Sequence, residues 1–397
     1  MAIGLTLTPA RRVFAGFAVY SFGMGNIFPR LGDVQADMGV STGALGLGLI
    51  GTPIGTLFAL TFATKQIERI GFRRVLLAAV PLMTLFFALA VHAPNPLVLF
   101  CALLPVGVLI GCIEIILNTD ADRTEYLVGF RIMNRSHAFW SIGFFSAGLF
   151  GAWIAALGVS PQLHLALVVP IVTLGIAVLL RDYTPSPPRP GVSAEAAPHF
   201  ATPTPAILLL VVVTISAMLM EGASMDWSAI YMRDTFAAGP FLSGIAVACF
   251  AVSQALTRFF ADGFVDRHSP AEVARSLFLV LLAGCLVVTF SPWPILSLIG
   301  FAAMGMGTSA IFPLAMSAAA QRQDRSAALN IAALAQFSFS VFLLGPPLLG
   351  YVAQHFGIRS AYGIGLPLIV LSLVTAGALG RRTPAVPAVQ AGGVGGP

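Results

Sequence analysis

Residues Gly107 to Asn118 read GVLIGCIEIILN, and the single carboxylate in that run, Glu114, decides how the chain must fold. The apolar sequence continues on the N-terminal side and is long enough to cross a bilayer, for which about 20 residues suffice. A charge at the bilayer centre costs about 2.5–3.5 kcal/mol on insertion scales, so Glu114 has to face a bundle interior or a wet cavity, where carrying a proton lowers the cost. On a helix, Gly107, Gly111, Glu114 and Asn118 fall at i, i+4, i+7 and i+11, so two small and two polar residues share one face. That face cannot point at lipid.

Composition places the rest of the chain in the same setting. Of 397 residues, 57% are hydrophobic and 9% charged, against about 25% charged in ordinary soluble domains. This implies an all-α membrane protein with many spans. The net charge of +5 does not point to nucleic acid, because the basic residues stand in short clusters between apolar runs, as loop charges that set membrane topology do. Cys101, Cys112, Cys249 and Cys285 all lie in apolar runs without metal-ligand spacing and read as packing residues. Arg11 and Arg12 precede a run with no small-residue cleavage site, which is not the pattern of a removable signal peptide.

Apolar runs of spanning length occur near residues 13–29, 43–63, 75–91, 97–117, 136–157 and 163–180, and again near 206–230, 241–261, 273–291, 294–316, 327–353 and 361–380. Twelve transmembrane helices are expected, as two pseudo-symmetric six-helix bundles over residues 1–181 and 206–382. Residues 182–205 between them are proline-rich and polar, the composition of an extended linker. Residues 383–397 are mostly Gly, Pro, Ala and Val, the composition of a disordered tail. If the N-terminus is cytoplasmic and the spans alternate, all of the 21 basic residues except Arg30, Arg233 and Arg359 fall on the cytoplasmic side. The positive-inside bias therefore puts both termini and the linker in the cytoplasm of a bacterial inner membrane.

The halves repeat. A shift of 198 residues lays Gly46 on Gly244, Phe62 on Phe260, Glu68 on Asp266 and Arg69 on Arg267. Six spans, a linker and six more, with an acid–Arg pair after the second span of each half, resemble the major facilitator superfamily over the whole chain. The loop pattern of that family is Gly-x-x-x-Asp-Arg-x-Gly-Arg-Arg. Here Thr64 to Arg73 reads TKQIERIGFR, followed by Arg74, with Thr64 for the first Gly, Glu68 for Asp and Phe72 for an Arg. The resemblance implies a rocker-switch carrier whose central cavity opens alternately to each side. It also implies a gate in which Glu68, Arg69, Arg73 and Arg74, with Asp266 and Arg267 in the second half, hold one conformation until substrate shifts the balance. The plainer reading is that these charges only enforce topology.

Glu114 with Asn118 four residues on, then the run NRSHAFWSIG from Asn134 to Gly143, is similar to the fucose-permease-like sugar/proton symporters and the YbjJ-like bacterial carriers. That likeness implies proton coupling at Glu114 and a sugar-facing polar group at His137. It departs at Thr119, where those permeases often have proline, and at His137, where glutamine is usual. Residue by residue, His137 shares a helical face with Asn134 and Ser141 and is of the type that titrates near neutrality, yet it also lies near a span end. Trp140 offers an apolar platform to a sugar ring, or packs. In the seventh span Glu221 has Ser224 and Ser228 near its face, and the small residues about Gly222 suggest local unwinding. Asp226, about 140 degrees round, with Trp227 beside it, reads as an interface cap and an aromatic-belt residue.

Asn26, between glycines and Pro29, is a candidate substrate partner. Arg30 reads as reaching the outer interface. Gln336 is a candidate cavity residue of the eleventh span.

The substrate-binding set is therefore Asn26, Asn118, His137, Glu221 and Gln336, with Glu114 as the proton carrier. No P-loop, metal-ligand cluster or Ser-His-Asp arrangement is present, so neither ATP, a metal nor an enzymatic activity is expected; the proton gradient supplies the energy. The expected function is symport of a small polar solute by a monomer whose partners are the lipid bilayer, the solute and protons. The competing reading is a proton-driven exporter of drugs or metabolites. Such carriers usually have Gly-Pro in the fifth span and an Arg in the fourth, where this chain has SIGFFSAGLFGAW and Glu114.

Overall fold

The computed structural model describes residues 7–130, 132–188, 201–265 and 267–380, and every regular element among them is helical. The first half contains α1 (Pro9–Gly25), α2 (Thr42–Phe62), α3 (Phe72–Ala90), α4 (Pro96–Val128), α5 (Met133–Ala156) and α6 (Pro161–Leu179). The second contains α7 (Pro205–Asp226), α8 (Pro240–Val265), α9 (Pro270–Phe290), α10 (Pro294–Ala320), α11 (Ala327–Phe356) and α12 (Ile358–Leu379). Eleven of these are long and apolar enough to cross a membrane. The remaining one, α1, has only 17 residues but continues into a 3-10 turn at Phe28–Arg30, which completes the twelve.

Five of the span starts are written as a cap followed by proline. Thr8–Pro9, Asn95–Pro96, Ser160–Pro161, Thr204–Pro205 and Ser269–Pro270 each place an oxygen that accepts a backbone N–H of the first turn, with Pro where no N–H is needed. These caps move several boundaries a few residues upstream of the apolar runs. Helix α4 overshoots at its other end. Its 33 residues make about 50 Å of helix against a hydrocarbon core of about 30 Å, so its last turns, with Asp120, Asp122, Arg123 and Glu125, lie beyond the apolar run.

Within each half, glycine lets backbones touch. A Cβ at Gly107 would collide with the Thr52 carbonyl, and one at Gly55 with the Leu104 carbonyl, while the Thr56 hydroxyl donates to the Gly107 carbonyl at 3.1 Å. The small half of the Gly107–Asn118 face is thus consumed by α2, and only its polar half turns to the centre. In the second half Gly305 abuts the Phe250 carbonyl of α8 in the same manner.

The halves meet tightly at one end, here called the cap end because the short helix Leu31–Met38 covers it. Gly46 of α2 lies on the Pro346 carbonyl of α11, and the Thr42 hydroxyl donates to the Gly350 carbonyl at 3.1 Å. Ser41 donates to Gln354 at 2.9 Å, and Arg233 donates to the Gly32 carbonyl at 2.5 Å and to Gln35 at 2.8 Å. Pro29 is wedged between Gly151 of α5 and Gly244 of α8.

The opposite, linker end is organised within each half. Tyr183 and Ser186 are buried rather than extended in solvent: the Tyr183 hydroxyl donates to Asp120 at 2.9 Å and the Ser186 N–H at 2.7 Å. Burial, reinforced by the Asp120 carboxylate, pushes the Tyr183 phenol well above its ordinary range, so it stays a donor. The far side of the linker is held by Arg325, donating to the Thr202 carbonyl at 2.7 Å, and by Thr204, donating to Asp324 at 3.0 Å. Bonds from Asn330 and Thr204 hold Asp324 below the usual carboxylate range, so that anchor is intact at neutral pH and is lost only as pH falls through the lowered value.

Candidate functional site

Glu114 and Asn118 are one turn apart on α4, and the Asn118 amide donates to both the Glu114 carboxylate, at 2.8 Å, and its backbone carbonyl, at 2.9 Å. The Asn118 side-chain oxygen is left facing α5, where it meets His137 Nε2 at 3.1 Å. An amide spent this way can only accept there, so the imidazole carries its proton on Nε2. From α1 the buried Tyr20 hydroxyl lies against the Glu114 carboxyl, and the Phe17 ring packs on His137 with centroids 5.1 Å apart. Trp140 stacks on Phe144 at 5.2 Å and 11°.

The second half supplies an ion pair. Arg258, on α8, approaches Glu221, on α7, at 3.6 Å, and the two side chains are 19% and 17% exposed, too enclosed for a loop charge. Gln254, one turn before Arg258, donates to Glu221 at 3.0 Å and lies 3.4 Å from Thr308. Arg258 Nε donates to the Ser309 carbonyl at 2.9 Å, and Nη1 reaches across to Ser141 of α5 at 3.5 Å. Ser141 in turn donates to the His137 carbonyl at 3.1 Å. A string of polar groups therefore runs from Glu114 through Asn118 and α5 to Arg258 and Glu221, crossing from one half to the other.

The sequence expectations distribute unevenly over this geometry. Glu114, Asn118, His137 and Glu221 are brought together. Asn26 is fully buried away from them, donating to the Phe22 carbonyl at 2.7 Å and accepting from His164 of α6 at 3.0 Å. Gln336 accepts the Ala201 N–H at 3.0 Å, at the end of the linker. Arg30 does not reach an interface: it is 3% exposed, and donates to Asp33 at 2.6 Å and to the Val159 carbonyl at 2.8 Å. Trp227 is not a belt residue but wholly buried, and α7 runs unbroken past Gly222 to Asp226. Asp226 faces a small gap between α7 and α11, beside Gly222, Phe342 and Pro346.

Of the expected gate, Glu68, Arg69 and Arg74 are exposed and, among the described residues, held by no hydrogen bond or ion pair. Arg73 bonds within its own half, to the Arg181 and Tyr183 carbonyls at 2.5 Å each. Arg267 is exposed, and Asp266 lies outside the described residues.

Arg258 is the residue that sequence reasoning misplaced. The charge tally counts it as cytoplasmic, yet it falls inside the apolar run 241–261, where the argument applied to Glu114 applies equally. Gln254 four residues earlier, on the same helical face, was the second signal.

Comparison with known proteins agrees with this architecture. The family model of the Major Facilitator Superfamily matches residues 209–396. An uncharacterized transporter, y4wD, of Sinorhizobium fredii is 29% identical, with 90% of this chain and 94% of the relative covered. These matches support a membrane transporter of the major facilitator superfamily rather than an enzyme. An uncharacterized MFS-type transporter of Yersinia pestis is 26% identical, with 92% of this chain and 93% of the relative covered, and membrane protein MosC of Rhizobium meliloti is 23% identical, covering 80% of this chain and 77% of its own. Among solved structures, the nucleoside transporter NupG superposes with a TM-score of 0.69 at 13% identity, covering 94% of this chain and 98% of its own. The fucose:proton symporter FucP of E. coli superposes with a TM-score of 0.58 at 15% identity, covering 94% and 98%. At such identities these superfamily structures share the fold alone.

Proposed function

We propose that this transporter takes up a small polar solute together with a proton across a bacterial inner membrane, with its termini and linker on the cytoplasmic side. The observation that carries the reading is the polar string Glu114–Asn118–His137–Ser141–Arg258–Glu221, whose members belong to both halves. Its spacing would change whenever the halves rock. Glu114 accepts from Asn118, has the Tyr20 hydroxyl nearby and, among the described residues, pairs with no cation, so a proton is the natural neutraliser of its charge in an apolar bundle. His137 and Asn118 offer polar atoms to a solute, and Trp140, backed by the buried Phe144, offers an apolar surface. The clamped cap end, with its seam of Gly46, Pro346 and Gly350, corresponds to a site accessible from the linker side, the state in which solute and proton would be released inward.

The test is solute-dependent proton uptake into proteoliposomes. Glu114→Gln should bind solute but no longer couple it to proton movement; undiminished uptake in that variant would remove Glu114 from the mechanism. The exporter reading has one observation in its favour, the same cation-free Glu114, which a cationic cargo could share with a proton by turns. In that case lipophilic cations would stabilise the protein better at pH 8 than at pH 5.5, because proton and cargo would compete.

A further inference from the structure

Resting on that transport reading, we propose that the transported solute bears an anionic group, a carboxylate or a phosphate, which Arg258 receives in exchange for Glu221. A guanidinium has five N–H donors in a planar fork that fits a pair of anionic oxygens. In Arg258 only the inner donor is well used, on the Ser309 carbonyl at 2.9 Å. The outer nitrogens stand 3.5 Å from Ser141 and 3.6 Å from Glu221, well beyond the 2.7–2.9 Å of a charge-assisted bond. The edge of the fork that could grip two oxygens at once is loosely occupied, and it points at the boundary between the halves.

The surroundings allow an exchange of partners. Glu221 has a second support, the Gln254 amide at 3.0 Å, which remains when the guanidinium turns away. Among the described residues, the other groups about Arg258 are neutral or acidic: Ser141 and His137 on α5, Ser309 on α10, Gln254 one turn away on α8, and Glu114 beyond Asn118. An arriving anion therefore meets one cation among the described residues, Arg258. An anion on the fork leaves Glu221 without its counter-ion, at a side chain only 17% exposed, where an unpaired carboxylate is costly. A proton on Glu221 removes that cost. That proton is a condition of binding the anion, whereas Glu114 remains the group that couples the solute to proton movement.

The experiment is a thermal-shift series on the full-length protein in detergent, using matched compounds on one polyol framework at a time. Glucitol, gluconate, glucosamine and glucose 6-phosphate form one set, with shorter frameworks forming others, at pH 5.5 and 8. Within at least one framework the carboxylate or the phosphate member should stabilise the protein while the neutral and amine members do not, and more strongly at pH 5.5. Which of the two anions does so identifies the group. Arg258→Gln should abolish the shift and Arg258→Lys weaken it several-fold. Glu221→Gln, which removes the competing carboxylate, should bind the anion at least as tightly as wild type and lose the pH dependence.

A neutral or amine member that stabilises as well as its anionic counterpart would overturn the proposal, as would a panel without any anion-dependent shift. So would loss of anion binding in Glu221→Gln, a result obtainable even if Arg258→Gln fails to fold. Proton uptake driven by a neutral polyol would sink the anion proposal and leave the symport reading standing. Anion binding without proton uptake in vesicles would do the reverse.

Discussion

Asn118 shows how one side chain can organise a site. Its amide group is fully committed, with the nitrogen on Glu114 and the oxygen on His137. Replacing it with alanine leaves both partners short of a bond in a half-buried setting, and a lost buried hydrogen-bond partner costs about 1–3 kcal/mol. Asn118→Ala should therefore lower the apparent melting temperature measurably, while His137→Gln, which keeps a donor for the Asn118 oxygen, should melt closer to wild type than His137→Leu does. Equal melting of Asn118→Ala and wild type would mean that the triad is not formed. At this scale legibility followed sequence distance. Glu114 and Asn118 could be paired from the sequence because a helix fixes i and i+4. Asn26 could not be assigned, since what removes it from the cavity is His164, 138 residues away. Arg258 was readable in principle, and was lost by treating every basic residue as a topology signal.

Helices were legible in number and order because a bilayer demands long apolar runs, and five of their starts are explained by cap-and-proline pairs. Side-chain chemistry alone did not show which face each helix spends on its neighbour. Gly107 and Gly111 share a face with Glu114 in sequence, yet Gly107 lies on the Thr52 carbonyl, and Gly111 faces Ala59 with its Cβ position 2.7 Å from that methyl. A methyl at Gly107 would run into backbone, which cannot rotate aside, and overpacking of this kind costs about 1–3 kcal/mol or more. Gly107→Ala should thus reduce folded yield and melting temperature. Gly222→Ala, whose new methyl would sit 3.4 Å from the Phe342 ring, should be tolerated. Size-exclusion profiles and thermal melts of the two variants side by side check the contrast, and similar behaviour of both would argue against the close α2–α4 approach. The linker ends are the other surprise at this scale. Composition reads residues 182–205 as extended, but Tyr183 and Ser186 are buried because Asp120, in the overlong last turns of α4, supplies the acceptor they need.

For the whole molecule, the internal repeat made two bundles legible but not which end they close. That depends on contacts between residues about 300 apart, such as Ser41 with Gln354 and Thr42 with Gly350. The seal is built from backbone: Gly46 on the Pro346 carbonyl, Gly350 on the Thr42 carbonyl. A leucine at Gly46 has no room while α2 and α11 are in contact and ample room once they part. It therefore destabilises only the cap-closed state, and every 1.4 kcal/mol of that difference moves the equilibrium about tenfold. Spin labels at Ala36 and His355, exposed positions at the cap end of opposite halves, report the change in a background where the four cysteines are replaced. In wild type a short distance should dominate. In Gly46→Leu a longer component should appear and grow, and solute access from the cap side should rise with it. A distance distribution unchanged by Gly46→Leu in a folded protein would mean that the halves do not part at this seam, and the alternating-access reading of the glycine contacts would fall with it.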